Sequence, residues 1–370
     1  MIKKRILCTV LLLTLLVSMG LTACSSSMPT GTPVNTPTTT PAAVPATPTT
    51  IPSASSEPVT TPEAPVSLSG SVYVYLPSPA GLADKLTAGF EAQTGVKVEQ
   101  FQGTTGEILA RLEAEAANPI ADVVILASWA DGLSMKAKDQ LLSYAPVGSD
   151  KVHTGWKDVD STIFGTSASA VGVIYNTTLF PTLSADWNEL AGTEYKDQLV
   201  FPDPTKSGSA KDFLSGYINN KGETDGWKIW EDLAANGMTV PGANAAALEA
   251  VTTGEKGILI AGVDYNGYSS NAKGEPIDIY YPEGGTVINP RPAMILKTSP
   301  NLDNAKAFMD YLLSDEAQAL VAAAYLLPGR SDVLCDNRSN VADIPLLSCD
   351  WDWMMDKSSE IASKLNALCQ

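Results

Sequence analysis

From residue 71 onward, the sequence alternates between strand-like and helix-like segments. Segments 71–75, 96–101 and 121–126 are apolar or alternate polar with apolar residues, which predicts strands. Between the first two, an apolar residue recurs every fourth position up to Phe90, which predicts a helix that Gly95 ends. This βαβαβ order predicts an α/β fold in which helices cover a mostly parallel sheet.

A second α/β unit follows and is inserted into the first. It begins with a predicted strand at 171–176 and ends with one at 277–281. The chain then returns to a strand at 292–296. Three helices close it, at about 304–313, 315–324 and 353–368. The roughly 300 residues involved are enough for one large domain or two lobes.

Polar and aromatic residues stand at the strand ends of both units. In open α/β sheets, ligands bind beyond the carboxyl ends of the strands, so we predict that these residues contact a ligand. In the first unit they are Ser78, Thr104, Thr105, Ser128 and Trp129. Around the second unit they are Ser167, before the strand at 171–176, and Asp264 and Tyr265, after a strand at 257–263.

A serine-rich segment after residue 201 predicts the start of a helix that could bind an anion. Two prolines stop the preceding strand, and Ser207 or Ser209 can cap the helix. Free backbone N–H groups and the helix dipole favour an oxyanion there, such as phosphate, phosphonate or carboxylate. The alternative is an ordinary serine-rich cap. The predicted anion contacts are Thr205, Ser207, Gly208 and Ser209.

The N-terminus predicts export and lipid anchoring. A basic start and an uncharged apolar core at 6–20 are typical of a signal peptide, here residues 1–23. The residues before Cys24 resemble a bacterial lipobox, in which this cysteine becomes the lipidated first residue. Lipid at Cys24 would hold the protein at the outer face of the cytoplasmic membrane.

Residues 24–69 consist almost entirely of Ser, Thr, Pro, Ala and Val. A segment of this composition cannot bury enough apolar surface to offset its ordering entropy. We therefore predict a disordered tether between the lipid and the folded part. Its length suggests a thick wall to cross, as in a Gram-positive envelope.

Charge and cysteine usage agree with an exported protein. The formal net charge is −17, and removing the three basic residues of the signal peptide makes it −20. Such an acidic chain is not expected to bind nucleic acid. A bridge between Cys335 and Cys349 would close a short loop in an oxidising compartment, although Cys369 could pair with either. No zinc-ligand spacing occurs, and we predict no cofactor.

Seven segments, in this order, resemble one known family. The folded part is similar to the extracellular solute-binding proteins of bacterial ABC importers, in the group that includes ferric-iron and phosphonate or sugar-phosphate binders. The resemblance covers about residues 71–333. The segments are 74–98, 106–112, 118–123, 204–210, 281–286, 304–314 and 327–333.

The resemblance implies a periplasmic-binding-protein type II-like fold. Two α/β lobes would be joined by hinge strands, with the ligand in the cleft between them. Lobe one would comprise 70–168 and 286–370, and the inserted lobe two 169–285. Closure of the lobes would couple ligand binding to recognition by a membrane permease with its ATPase.

The sequence favours a small organophosphorus anion as the ligand. Ferric binders of this family use a histidine near the first strand and two adjacent tyrosines after the strand matching 257–263. Here the first loop has no histidine, and only Tyr265 stands where the pair would be. Phosphorus-binding members carry a Ser-Gly-Ser/Thr turn, as at 207–209. Asp264 could then pair with an ammonium group, as in 2-aminoethylphosphonate.

Three other functions remain as alternatives. The first is a ferric-iron binder of the same family, and the second is a surface or adhesion lipoprotein without a transport role. The third is an enzyme, which the sequence does not favour. A serine nucleophile needs a nearby base, and the only histidine, His153, is far in sequence from the serine clusters.

Overall fold

The computed structural model of the chain describes residues 68–370, which form nine strands and ten α-helices. The strands are β1 (Ser71–Leu76), β2 (Lys97–Gln102), β3 (Val123–Ile125), β4 (Phe164–Asn176), β5 (Leu199–Val200), β6 (Ile258–Val263), β7 (Ile277–Tyr280), β8 (Ile288–Ile295) and β9 (Leu327–Pro328). The helices are α1 (Ala80–Thr94), α2 (Thr105–Ala114), α3 (Trp129–Ala137), α4 (Gly208–Lys221), α5 (Glu223–Ala235), α6 (Asn244–Thr252), α7 (Asp264–Ala272), α8 (Leu302–Leu312), α9 (Asp315–Ala323) and α10 (Trp351–Leu368).

The nine strands join in one sheet, and β8 and β4 are its central strands. The order is β2-β1-β3-β8-β4-β6-β5, and β7 and β9 also pair with β4. The pairs β1–β2, β1–β3 and β5–β6 are parallel, whereas β8 runs antiparallel to both β3 and β4. The sheet is therefore mixed, with parallel flanks around an antiparallel centre. The βαβαβ order predicted for the first unit is confirmed.

β4 is long because it belongs to both halves of the sheet. Its first part pairs with β8, and its last part pairs with β6 and β7. All 13 of its residues are buried, since helices cover the sheet on both faces. We call the half with β1, β2, β3, β8 and β9 the first lobe and the half with β5, β6 and β7 the second lobe. The two lobes therefore meet along β4 and β8.

Each lobe has its own apolar core. In the first lobe, Phe90 of α1 packs edge-on against Phe308 of α8, with ring centroids 5.1 Å apart. In the second lobe, Trp230 of α5 packs against Phe201 and against Phe213 of α4. Aromatic pairs of this kind add to the stabilisation from buried area, so each lobe is stabilised by a core of its own.

The C-terminal helix α10 lies on both lobes. Ile361 and Leu365 are buried in the core of the second lobe, together with residues of α4 and α5. The same helix also contacts α3 of the first lobe. The sequence-based lobe boundaries at 168/169 and 285/286 stay a prediction. The signal peptide, the lipidated Cys24 and nearly all of the tether lie outside the described residues. Within 68–370, no helix is long and apolar enough to cross a membrane.

The predicted Cys335–Cys349 bridge is absent from the structure, where all three described cysteines are free thiols. Cys335 is buried and its Sγ donates to the carbonyl oxygen of Leu326 at 3.4 Å. Cys349 and Cys369 instead pack against the core of the second lobe. Burial raises the pKa of all three thiols. The pairing is therefore wrong for this structure, because Cys335 and Cys349 pack in different surroundings.

Candidate functional site

The strand ends of the two lobes face each other across β8. Pro77 follows β1 of the first lobe, and Tyr265 follows β6 of the second. Arg291 of β8 lies between them: its Nη1 is 3.4 Å from the carbonyl oxygen of Pro77, and its guanidinium lies 5.6 Å from the centre of the Tyr265 ring. In open α/β folds, ligands bind beyond the carboxyl ends of the strands. The surroundings of Arg291 are therefore the candidate ligand site.

Arg291 is buried without a carboxylate partner. The structure describes four arginines, and Arg111, Arg330 and Arg338 each form an ion pair with an acidic side chain. Arg291 is only 2% exposed, and among residues 68–370 it has no carboxylate partner and its Nε has no hydrogen-bond partner. Burying an uncompensated charge is costly, so a site of this kind is suited to an anion supplied from outside the chain.

Three more polar side chains lie on the same face of β4 and β8 as Arg291. Ser167 stands directly opposite Arg291 on β4, and Ser169 stands directly opposite Asn289. Residues two apart on a strand point to the same face, so all four side chains line one surface. We call Ser167, Ser169, Asn289 and Arg291 the hinge floor. All four are buried, which is unusual for polar residues in the middle of a sheet.

The start of α4 is closed by direct contact between the lobes. Ser207 caps the helix, as predicted, and its side chain accepts a hydrogen bond from the backbone N–H of Ala210 at 3.2 Å. A Cβ added at Gly208 would lie 2.9 Å from the carbonyl carbon of Ala127 and 2.9 Å from Thr105 Oγ1. Ser207 and Ser209 are buried as well. First-lobe atoms therefore lie against the helix start, where we predicted the anion.

A carboxylate of the second lobe caps a helix of the first. Asp212 of α4 accepts hydrogen bonds from Ser128 Oγ at 2.7 Å and from the backbone N–H of Trp129 at 2.9 Å. Beside it, Lys211 Nζ lies 2.6 Å from Asp131. Burial, with repulsion from Asp131, raises the pKa of Asp212 to about 7. These contacts join the two lobes at α3 and α4. Ser128 and the backbone N–H of Trp129 are therefore already bound to Asp212 within the protein.

Asp264 lies inside a buried network of the protein's own groups. Its Oδ2 accepts from Arg338 Nη2 at 2.6 Å, from Tyr281 Oη at 3.1 Å and from the backbone N–H of Ala170 at 2.9 Å. Its Oδ1 accepts from the backbone N–H of Tyr265. Both Asp264 and Arg338 have fully buried side chains. The carboxylate is therefore already compensated, and the structure does not direct it towards a ligand ammonium group.

The residues predicted from the sequence separate into three groups. Beside Arg291 the structure places Ser167 and Tyr265, and Ser78 follows Pro77, whose carbonyl oxygen contacts Arg291. At the contact between the lobes it places Thr105, Ser128, Trp129 and Gly208, and Ser207 and Ser209 are buried on either side of Gly208. Elsewhere, Thr104 is the N-cap of α2, Thr205 is exposed, and Asp264 pairs with Arg338.

Sequence reasoning missed Arg291 and Asn289. Both stand beside prolines, Pro290 and Pro292, which obscure a strand because proline cannot donate to the sheet. The predicted strand therefore began at 292, whereas β8 begins at Ile288. An arginine between two prolines in an otherwise apolar segment was the available signal.

The described acidic, cysteine and histidine side chains do not form a cluster of the kind that holds a metal ion. Within residues 68–370, no three His, Cys, Asp or Glu side chains lie close enough together to hold a metal ion. The Tyr281 hydroxyl donates a hydrogen bond to Asp264. Burial, and then the charge of Asp264, raises the pKa of Tyr281 far above its ordinary value. This phenol is therefore held in its neutral form.

The structure thus has two α/β lobes that meet along β4 and β8, with the buried guanidinium of Arg291 beside the facing strand ends. Residues 118–356 match the family described as bacterial extracellular solute-binding protein. That match spans more than half of the chain, and the chain therefore belongs to this family. The family recognised from the seven sequence segments is confirmed.

Curated relatives carry different ligand names. The chain is 28% identical over 255 residues to iron uptake protein A1 of a Synechocystis species, covering 65% of this chain and 70% of the relative. It is 27% identical over 253 residues to a putative 2-aminoethylphosphonate-binding periplasmic protein of Salmonella typhimurium, covering 66% and 73%.

Solved structures confirm the type II two-lobed fold. The periplasmic binding protein AfuA from Actinobacillus pleuropneumoniae, with fructose 6-phosphate bound, aligns with a TM-score of 0.72 at 21% identity, covering 80% of this chain and 97% of AfuA. Iron-bound HitA from Pseudomonas aeruginosa aligns with a TM-score of 0.71 at 18% identity, covering 80% and 99%. At these identities the likeness establishes the fold alone.

Proposed function

We propose that this solute-binding protein captures a small organophosphorus anion between its lobes and delivers it to the permease and ATPase of an ABC importer. Arg291 would anchor the anion. The observation that carries the proposal is its buried guanidinium, which has no carboxylate partner and faces the strand ends of both lobes. The proposal keeps the ligand class expected from the sequence but moves the anchor from the start of α4 to β8.

The chemistry of the guanidinium group supports a phosphorus oxyanion. Its planar fork of donors matches phosphate and phosphonate oxygens in two parallel hydrogen bonds. The net charge of −17 does not oppose such a ligand, because salt screens distant charges beyond about 8–10 Å. Among the relatives, one is named for 2-aminoethylphosphonate, and AfuA holds fructose 6-phosphate.

Ferric iron is the second candidate, since an iron uptake protein and iron-bound HitA are among the similar proteins. Iron binders of this fold were expected to use phenolate ligands. Here Tyr281 donates to Asp264 with its pKa raised by burial, and the Tyr265 ring packs near the Arg291 cation. The surroundings of Tyr281 favour a neutral phenol, and the Arg291 cation beside Tyr265 favours an anionic ligand over a trivalent cation.

The location is also part of the proposal. Relatives are named as periplasmic proteins, and the family is extracellular. The basic start, apolar core and Cys24 of the sequence support a lipid anchor at the outer face of the cytoplasmic membrane. In this arrangement the tether of residues 24–69 would let the lobes reach the permease.

A thermal-shift panel tests the ligand class. The probes are fructose 6-phosphate, 2-aminoethylphosphonate, inorganic phosphate, citrate and ferric citrate. A ligand at a hundred times its dissociation constant should raise the free energy of unfolding by about 2.7 kcal/mol. We expect stabilisation by one or more phosphorus compounds and none by citrate. Stabilisation by ferric citrate alone would replace the phosphorus proposal with the iron one.

Closure of the lobes can be tested at Gly208. In Gly208→Ala, the new methyl group would lie 2.9 Å from atoms of Ala127 and Thr105 across the contact between the lobes, so we expect it to oppose their closure. An overpacked contact costs about 1–3 kcal/mol, so the affinity for the stabilising phosphorus compound should fall about 5- to 150-fold. Small-angle X-ray scattering with saturating ligand should show a more open molecule.

Gly81→Ala is the matched control for this experiment. Gly81 also lies near the start of a helix, but a Cβ there would meet nothing within 4 Å. We expect wild-type affinity and scattering from Gly81→Ala. Wild-type affinity in Gly208→Ala as well would mean that the contact between α4 and the first lobe is not part of the ligand-bound state.

A further inference from the structure

Three side chains of the hinge floor have buried polar atoms that lack partners. They are the hydroxyl of Ser169, both amide atoms of Asn289 and Nε of Arg291. Ser169 and Asn289 are 0% exposed, and Arg291 is 2% exposed. Buried polar groups in folded proteins nearly always have partners, so a group of unsatisfied atoms indicates a missing ligand or water.

The residues that carry the unsatisfied atoms are neighbours on one face of the sheet. Ser169 and Asn289 are direct partners across the antiparallel pair of β4 and β8, which places their side chains next to each other. Arg291 is two residues from Asn289 and points to the same face. A ligand anchored by its phosphorus group on Arg291 would therefore present its adjoining atoms to Ser169 and Asn289.

The chemistry of this pair selects the adjoining group. The amide of Asn289 offers both donors and an acceptor, and the hydroxyl of Ser169 offers one donor and an acceptor. A ligand hydroxyl both donates and accepts, so it satisfies such a pair. An ammonium group only donates and favours a carboxylate. Asp264, the carboxylate at the start of α7, is already bound by Arg338, Tyr281 and two backbone N–H groups.

We infer that Ser169 and Asn289 form a second subsite that binds a hydroxyl group of the ligand. The substrate would then be a hydroxylated phosphate ester, such as a sugar or polyol phosphate, rather than an aminophosphonate. This inference rests on the proposed function, because Arg291 must first hold the phosphorus group. It also changes the sequence-based expectation that Asp264 recognises an ammonium group.

A matched pair of probes isolates the subsite. Glycerol 3-phosphate and n-propyl phosphate have the same phosphate and the same three-carbon chain, and they differ only in two hydroxyl groups. In calorimetric titrations, the wild-type protein should bind glycerol 3-phosphate at least about tenfold more tightly, since a polar pair left unsatisfied costs affinity. 2-Aminoethylphosphonate should bind no more tightly than n-propyl phosphate.

The variant Asn289→Leu should abolish that preference. Leucine has a similar size and removes the buried amide, so the protein should keep or increase its stability to urea while the affinity for glycerol 3-phosphate falls about tenfold. The affinity for n-propyl phosphate should stay within about twofold. If Asn289→Leu does not fold, Ser169→Ala makes the same comparison with a smaller change at the same pair.

Two outcomes would overturn the subsite. One is equal binding of the two probes by the wild-type protein, and the other is an equal loss of both probes in the variant, as expected if the pair only holds a structural water. Failure of the proposed function gives a different result. In that case neither probe, nor inorganic phosphate, binds the wild-type protein.

Discussion

Arg291→Gln is expected to weaken the binding of a phosphorus anion by about 30-fold or more. Truncating one partner of a buried, hydrogen-bonded charge pair costs about 2–5 kcal/mol, and every 1.4 kcal/mol is a factor of ten in affinity. The ligand-free protein should not be destabilised, because Arg291 has no carboxylate partner to leave behind. Calorimetric titration and urea unfolding of the same sample measure the two effects separately.

Two control variants make this result specific. Arg111→Gln produces the same change in net charge at a partly exposed site on α2, where Arg111 pairs with Glu115. Its affinity should match the wild-type value. Arg291→Lys keeps the charge but loses the planar fork, so its affinity should lie between those of the wild-type protein and Arg291→Gln. If Arg291→Gln binds the phosphorus anion with an affinity within twofold of the wild-type value, Arg291 does not anchor the ligand.

Arg338→Met is expected to lower the free energy of unfolding by about 3–5 kcal/mol. The substitution leaves the carboxylate of Asp264 buried without its cation, and breaking a buried ion pair from one side costs about that much. The remaining bonds from Ala170, Tyr265 and Tyr281 compensate only part of the charge. Urea denaturation, with the midpoint and slope fitted together, gives the change in stability.

The double variant Arg338→Met with Asp264→Leu is the control for this prediction. Removing both charges should recover much of the lost stability, because apolar replacements of a buried pair are often neutral. Such recovery would show that the cost comes from the unpaired carboxylate. If Arg338→Met lowers the free energy of unfolding by less than about 1 kcal/mol, water reaches the Asp264 carboxylate and the ion pair is not isolated from solvent.

Much of the fold could be predicted from the sequence because its signals are local. The repeat of apolar residues every fourth position located α1, and Gly95 ends that helix in the left-handed conformation, with φ of 72°. The extent of β4 could not be predicted in the same way. Its first half contains a polar segment around Ser167, and only its pairing with β8 makes it one strand of 13 residues.

The candidate residues were chosen at predicted strand ends. Ser78 and Tyr265 do follow β1 and β6, because strand ends are readable from local patterns, whereas Ser167 lies inside β4. Contacts between distant residues were not readable. Asp264 and Arg338 are 74 residues apart, and Asp212 reaches Trp129 over 83 residues. These long-range pairs determine which predicted residues remain free for a ligand, and they lie outside any sequence window.

A crystal structure of the protein with glycerol 3-phosphate tests the central claim most directly. Our account predicts that phosphate oxygens lie within about 3 Å of the Arg291 guanidinium nitrogens, at the facing ends of β1 and β6. A phosphate bound instead at the start of α4, near Ser207 and Ser209, with Arg291 still unpartnered, would contradict it.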